Sequence, residues 1–161
     1  VGIAGGPEKC GYLRDELKLD AVVDYKQGNI AQQLEQASPN GIDVYFDAVG
    51  GETLDAVLML MNRLGRIVLC GAISQYGDMD KQVGPSNYMQ LIAQSIVMQG
   101  FTMRDYMHRT KEAVVDLLTW EAEGKIKFRE HILQGIDCFP QAVDMIYQGK
   151  NNGKLMIKLS D

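Results

Sequence analysis

Between residues 42 and 76 two apolar runs flank an amphipathic one. Ile42, Val44, Tyr45 and Phe46 form a short β-branched and aromatic run, and 47–51 (Asp, Ala, Val, Gly, Gly) is a stretch where chain reversal is cheap. This pattern predicts a strand ending in a turn. Over 52–62, Leu54, Val57, Leu58 and Met61 recur at i, i+3, i+4 and i+7, the spacing of one helical face. Residues 66–70 are then largely apolar without alternation, as in a strand covered on both faces, and Gly71 closes them. The three segments predict a β-α-β unit with a right-handed crossover. Its strands run parallel, and their carboxyl ends, 47–51 and 71–76, open on the same edge, where such sheets bind ligands.

The same alternation extends in both directions. Residues 1–4 read as a strand, Gly5 and Gly6 as a turn, and Pro7 as the first turn of a helix carrying Cys10, Leu13 and Leu17 on one face. A strand over 21–25 follows, then a helix marked by Ile30, Leu34 and Ala37. Beyond the polar loop 74–84 the pattern predicts a helix over 87–95, a strand over 97–103, and a helix carrying Ala113, Val114, Leu117, Leu118 and Trp120. From Lys125 the pattern changes to an extended segment over 126–133. A helix with Phe139, Val143, Ile146 and Tyr147 and a strand over 155–159 complete it. The expectation is a doubly wound α/β domain with a different C-terminal appendage.

The 161 residues suffice for one domain with a real core, and 46% hydrophobic content fits a globular chain. A net charge of −5 without a basic run argues against nucleic acid or an anionic membrane as partner and for a small molecule. Cys10, Cys70 and Cys138 are far apart, with no C-x-x-C pair, so a zinc or redox motif is not indicated. No apolar run reaches the roughly 20 residues of a membrane span, and no signal-peptide pattern is present; a cytoplasmic location is expected. Val1 stands already inside an apolar stretch without an initiating Met, which suggests a piece of a longer protein.

Candidate chemistry gathers at strand ends. Gly5, Gly6, Pro7, Glu8 and Lys9 stand where a strand meets a helix N-terminus, a place that favours an anion such as phosphate. Glycines and a lysine, rather than an acidic residue for a ribose hydroxyl, favour NADP, with Lys9 on the 2′-phosphate; an ordinary turn with a solvated lysine fits the same residues. Tyr25 could line that pocket or simply pack. Gly50 and Gly51 allow close backbone approach, or make a tight turn. The run Cys70, Gly71, Ala72, Ile73, Ser74, Gln75, Tyr76 brings two hydroxyls to a strand end, and the Tyr76 phenol could serve a developing oxyanion or anchor the loop. His108 and His131 lack ligating neighbours, so surface or capping roles are expected and no metal. The nine methionines read as core filling. Neither G-x-G-x-x-G nor G-x-x-x-x-G-K-[ST] occurs.

Six collinear blocks then carry a specific resemblance: AGGPEK (4–9), DYK (24–26), GIDVYFDAVGGE (41–52), GRIVLCGAISQY (65–76), EGKIKFRE (123–130) and GKNNGKLMIK (149–158). The chain resembles the zinc-free medium-chain dehydrogenase/reductases of the prostaglandin reductase and leukotriene B4 12-hydroxydehydrogenase type, with their bacterial alkenal, alkenone and curcumin reductase relatives. The resemblance implies a partial doubly wound Rossmann-type parallel sheet over 1–124 and a segment over 125–161 that returns to a catalytic domain. It implies that Lys9 and Tyr25 hold the 2′-phosphoadenosine end of NADP. Cys70, Gly71, Ala72, Ile73, Ser74 and Tyr76 would run along the cofactor. Phe101, Thr102 and Met103 would lie near the carboxamide, and Asn151 beside the cofactor.

The implied reaction is hydride transfer to the β-carbon of an α,β-unsaturated ketone or aldehyde, with Tyr76 near the substrate carbonyl. An alternative is that the isolated chain is a non-catalytic nucleotide-binding or assembly fragment; a doubly wound methyltransferase is a weaker third reading. Ala48 stands where close relatives read Asn, which removes an amide expected at the cofactor. The family's first sheet strand and glycine-rich loop would precede Val1. In the order 3-2-1-4-5-6 that strand is central, so its absence leaves two unpaired edges across a gap. A homodimer or strand-exchanged assembly is the implied quaternary state.

Overall fold

The computed structural model describes residues 1–77 and 82–160. The predicted loop 74–84 is thus seen at its two ends, and residues 78–81 lie outside the described residues. Contacts divide the chain into two compact units, Val1–Met107 and His108–Asp161.

The first unit runs β1 (Gly2–Ala4), α1 (Pro7–Gly11) continuing into a wider π-helical turn (Tyr12–Glu16), β2 (Val22–Asp24), a 3-10 turn (Tyr25–Gln27), α2 (Ile30–Ala37), β3 (Ile42–Asp47), α3 (Gly51–Leu60), β4 (Met61–Leu69), α4 (Gln90–Ala93) and β5 (Val97–Gly100). Local chemistry sets the boundaries. Asn29 caps α2 by accepting the Gln32 N–H on its side-chain oxygen, and the Ser38 N–H closes the helix on Leu34 just before Pro39. All strand pairs are parallel: β1 with β2, and β3 with β4 with β5, so that Tyr45 faces Ile67 and Ile67 faces Met98. One core serves both sheets. Val23 and Leu34 pack in a single cluster with Leu54, Val57, Leu58 and Ile67, yet no ladder joins β1 to β3 among the described residues.

Three predicted boundaries move. The helix expected to reach Asn62 stops at Leu60, and β4 opens at Met61, because the Asn62 amide donates to the Asn40 carbonyl and the Asp43 carboxylate and draws the chain onto β3. Met61 is apolar and suits a buried place in a helix or a strand, so periodicity could not separate the two. The helix expected over 87–95 shrinks to α4, since the backbone and side chain of Asn87 both bind Asp55 of α3 and hold the segment as a turn. The strand expected over 97–103 ends at Gly100, and a 3-10 stretch (Met103–Arg109) follows. The methionines read as core filling divide: Met61 is buried, whereas Met59, Met89, Met103 and Met107 are exposed.

The second unit contains α5 (Thr110–Ala122), β6 (Glu130–Gln134), α6 (Phe139–Tyr147) and β7 (Lys154–Lys158), with β6 and β7 parallel and His131 opposite Leu155. The extended segment predicted from 126 begins only at Glu130. The N–H groups of Lys125 and Ile126 both turn back to the Trp120 carbonyl and hold that stretch against the end of α5. His131 Nδ1 accepts the Asn152 N–H at 3.2 Å. Among the described residues no helix is long and apolar enough to cross a membrane.

Candidate functional site at the strand ends

The carboxyl ends of β3 and β4 are zipped together. The Cys70 and Gly71 N–H groups donate to the Asp47 carbonyl (2.7 and 3.3 Å), Ile73 N–H to Ala48 and Ser74 N–H to Val49 (both 3.2 Å), and the Ser74 hydroxyl to Val49 (2.6 Å). The turn and the loop predicted separately therefore form one face. Asp47 anchors it from beneath. Its side chain is fully buried, and Oδ1 accepts from the Tyr45 hydroxyl and the N–H groups of Val49 and Gly50 (3.1, 2.8 and 2.9 Å). Oδ2 has no partner among the described residues. Burial, with the Asp47 charge and hydrogen bond adding, pushes the Tyr45 phenol far above its ordinary range, so it stays a donor. Asp47→Ala leaves three donors without an acceptor; we expect a loss of about 3 kcal/mol in urea unfolding, against under about 1 kcal/mol for truncating an exposed residue such as Glu35.

Glycine is required at the turn. Gly50 and Gly51 both have positive φ, and a Cβ on them would meet Ala72 Cβ at 3.1 Å and Ser74 Oγ at 2.9 Å. Two clefts that share Gly50, Gln75 and Val83 lie on this bare backbone. One, about 520 Å³, includes Tyr25, Gly51 and Ser74. The other, about 350 Å³, includes Asp47, Cys70, Gly71 and Tyr76. The Tyr76 hydroxyl oxygen accepts the Ala72 N–H at 3.0 Å, which fixes the phenol while leaving its proton to be given elsewhere. Sequence reasoning assigns no role to Gln75. Its amide binds the Val83 carbonyl and N–H (2.9 and 2.8 Å) and ties the far end of the polar loop to the site, a contact across 8 positions that no local pattern announces.

At the other end of the larger cleft the predicted anion seat is modified by the protein itself. The Gly6 N–H, expected to be offered to a phosphate, donates to the Asp24 carboxylate at 2.8 Å. Asp24 is buried and also accepts the Lys26 N–H (3.0 Å) and the Gln27 amide (3.2 Å), while Gln33 clasps its backbone on both sides. The Gly6 N–H is therefore not offered to an anion. Tyr25 opens the 3-10 turn, half exposed, with its ring so close to Gly5 that a Cβ there would stand 2.7 Å from it. Lys9 lies on α1, and its ammonium is drawn below its usual range by partial burial and then by the Lys26 charge, with Glu8 opposing.

The Gly6 N–H holds the Asp24 carboxyl below the usual carboxylate range against the opposing effect of burial, with Lys26 and Gln27 adding. A carboxyl depressed by folding stabilises fully above its unfolded value of about 4 and loses that contribution as the pH falls through the folded value. We therefore expect Asp24→Asn to be less stable than the parent chain near neutrality and to converge on it in acid, as followed by urea unfolding across pH.

Phe101 is brought to the same edge: its N–H donates to Leu69, beside Cys70, and its ring packs between Phe46 and Tyr106 (centroids 6.1 and 5.8 Å). The Thr102 N–H and hydroxyl both donate to the Asp105 carboxylate, and Met103 is exposed. Asn151 belongs to the second unit, where its amide donates to the Gly153 carbonyl at 2.9 Å. Among the described residues no group of three or more His, Cys, Asp or Glu could hold a metal ion.

Residues 1–120 match the family model described as zinc-binding dehydrogenase. The chain belongs to this family. Within it the chain stands with the medium-chain dehydrogenase/reductases of the prostaglandin reductase type, as the six sequence blocks implied. It is 39% identical to the NADPH-dependent curcumin reductase of Escherichia coli over 99% of this chain and 48% of that protein. Against prostaglandin reductase 1 of Rattus norvegicus it is 39% identical, over 98% of this chain and 48% of the relative. The crystal structure of CurA from Vibrio vulnificus in complex with NADPH superposes with a TM-score of 0.92 at 43% identity, covering 99% of this chain and 49% of CurA. The chain thus spans about half the length of these family members.

Proposed function

We propose that this chain carries the cofactor-binding part of an NADPH-dependent reductase of the carbon-carbon double bond in α,β-unsaturated ketones or aldehydes. In this reading residues 1–124 form the NADP-binding portion and 125–161 return to a catalytic domain. The observation that carries it is the face at the strand ends: bare backbone at Gly50, Gly51 and Gly71, the Tyr76 phenol at one end, and Tyr25 with the Lys9 and Lys26 charges at the other. That succession of features suits a long ligand with a polyanionic tail. The NADPH complex of CurA and the name of the curcumin reductase support the choice of cofactor.

NADPH would supply a hydride to the substrate β-carbon. The chain's own residues do the rest. Tyr25 would stack on the adenine end, and Lys9 would give a charge-assisted hydrogen bond to the 2′-phosphate. The glycines let the cofactor lie against main chain, where side chains would block it. Cys70, Ala72, Ile73 and Ser74 would follow the cofactor along the loop, and Phe101, Thr102 and Met103 would border the carboxamide. Tyr76 would donate its proton in a hydrogen bond to the carbonyl oxygen as negative charge develops there, the Ala72 N–H on its own oxygen making it the better donor. A homodimer through the outer edge of β5, which pairs only with β4 among the described residues, is part of the same proposal. Sedimentation tests the dimer. Parallel titrations of the full gene product with NADPH and NADH test the cofactor: selective, saturable NADPH binding is expected, and equal affinity for NADH overturns the assignment.

A further inference from the structure

We propose that Asp47 tunes the bound cofactor as a hydride donor: its buried negative charge favours the cationic oxidised nicotinamide over the neutral reduced one. The inference deepens the cofactor reading above and rests on it. Asp47 is 0% exposed at the carboxyl end of β3. Its Oδ1 accepts from the Tyr45 hydroxyl and from the Val49 and Gly50 N–H groups, which accounts for the turn. Oδ2 is not accounted for, being buried with no hydrogen-bond partner among the described residues. Nor does any Lys, Arg or His among them form an ion pair with Asp47. A turn of this kind needs one acceptor oxygen, which an uncharged asparagine also supplies. A carboxylate kept in the interior with one oxygen unpartnered costs stability, so its charge calls for a use beyond the turn.

The position of that charge suggests the use. Asp47 lines the cleft of about 350 Å³ that also includes Cys70, Gly71 and Tyr76. In the proposed reading the Tyr76 end of this cleft receives the reacting end of the cofactor. Leu54, Leu69 and Pro85 add apolar wall, and no Lys, Arg or His is among the described lining residues. A ring that displaces water from this cleft therefore meets the Asp47 field without a counter-charge from the chain. Loss of a hydride from C4 to the substrate β-carbon turns the neutral dihydronicotinamide into a cation. A fixed carboxylate stabilises that side of the reaction only, which raises the driving force for transfer and holds NADP⁺ in preference to NADPH.

The test is equilibrium titration of the full gene product with NADP⁺ and with NADPH, in the parent and in Asp47→Asn. Asparagine keeps an oxygen for the three donors and places an amide nitrogen where no partner stood, so the charge is the main thing removed. The ratio of the NADP⁺ Kd to the NADPH Kd is expected to rise about tenfold, which raises the midpoint potential of the bound pair by about 30 mV. Asp47→Ser, whose hydroxyl can accept from the same turn N–H groups, is a second neutral variant and should move the ratio in the same direction. Tyr45→Phe deletes one donor to Oδ1 and keeps the charge, so it should leave the ratio within about twofold. An equal loss of affinity for both forms in the neutral variants would show a turn or a hydrogen bond alone and overturn the inference. A shift in Tyr45→Phe as large as that in Asp47→Asn would overturn it too. A parent protein that binds neither form overturns the cofactor reading and this inference with it; both forms bound with an unchanged ratio overturns this inference alone.

Discussion

Tyr76→Phe in the full gene product is expected to lower turnover of a simple enone about a hundredfold while NADPH affinity stays within a factor of about two. The reason is local. The phenol is held by the Ala72 N–H in the smaller cleft, and phenylalanine keeps the ring while deleting the hydroxyl proton that the proposed role requires. A hydrogen bond stronger to the transition state than to the ground state shows in kcat and not in binding. Steady-state kinetics with separate cofactor titration resolves the two. An equal loss in cofactor affinity would mean that Tyr76 merely shapes the loop. Unchanged turnover would remove it from the chemistry.

Lys9→Glu is expected to weaken NADPH about a hundredfold and leave NADH within about threefold, read by equilibrium titration. A charge-assisted hydrogen bond contributes on the order of 2 kcal/mol, and charge reversal adds repulsion of the phosphate. Lys26 moderates the loss because its charge is felt at Lys9. The double variant Lys9→Glu with Lys26→Ala should therefore lose more than either alone. A parallel fall in NADH affinity would show that Lys9 holds something other than the 2′-phosphate.

Much of the first unit was legible because its signals are local. The Leu54, Val57 and Leu58 spacing of α3 and the apolar run Ile67, Val68 and Leu69 at the end of β4 each state their own conformation, and the turn at Gly50 and Gly51 is glycine for a steric reason. What escaped depends on contacts across the chain. Asn62 ends α3 by bonding residues 19 and 22 positions earlier, and Asn87 shortens α4 through Asp55, 32 positions away. At the site, Tyr76 and the 70–76 loop were visible as a strand end with hydroxyls. Asp24 was not: an acid in a strand looks like many others until the Gly6 N–H is found on it, 18 positions back. Asp47 likewise sat inside a stretch read only as a turn, and burial with three donors is a tertiary property. The gap between β1 and β3 was an expectation of family order; among the described residues no ladder joins the two strands.

The most direct test of the central claim follows the hydride. NADPH deuterated at the transferable C4 position is given, with a simple α,β-unsaturated ketone, to the full gene product, and the product is examined by NMR. The account predicts a saturated ketone with deuterium on the β-carbon, formed from NADPH in strong preference to NADH. An allylic alcohol with deuterium on the carbonyl carbon, or no deuterium transfer by a protein that binds NADPH, would contradict it.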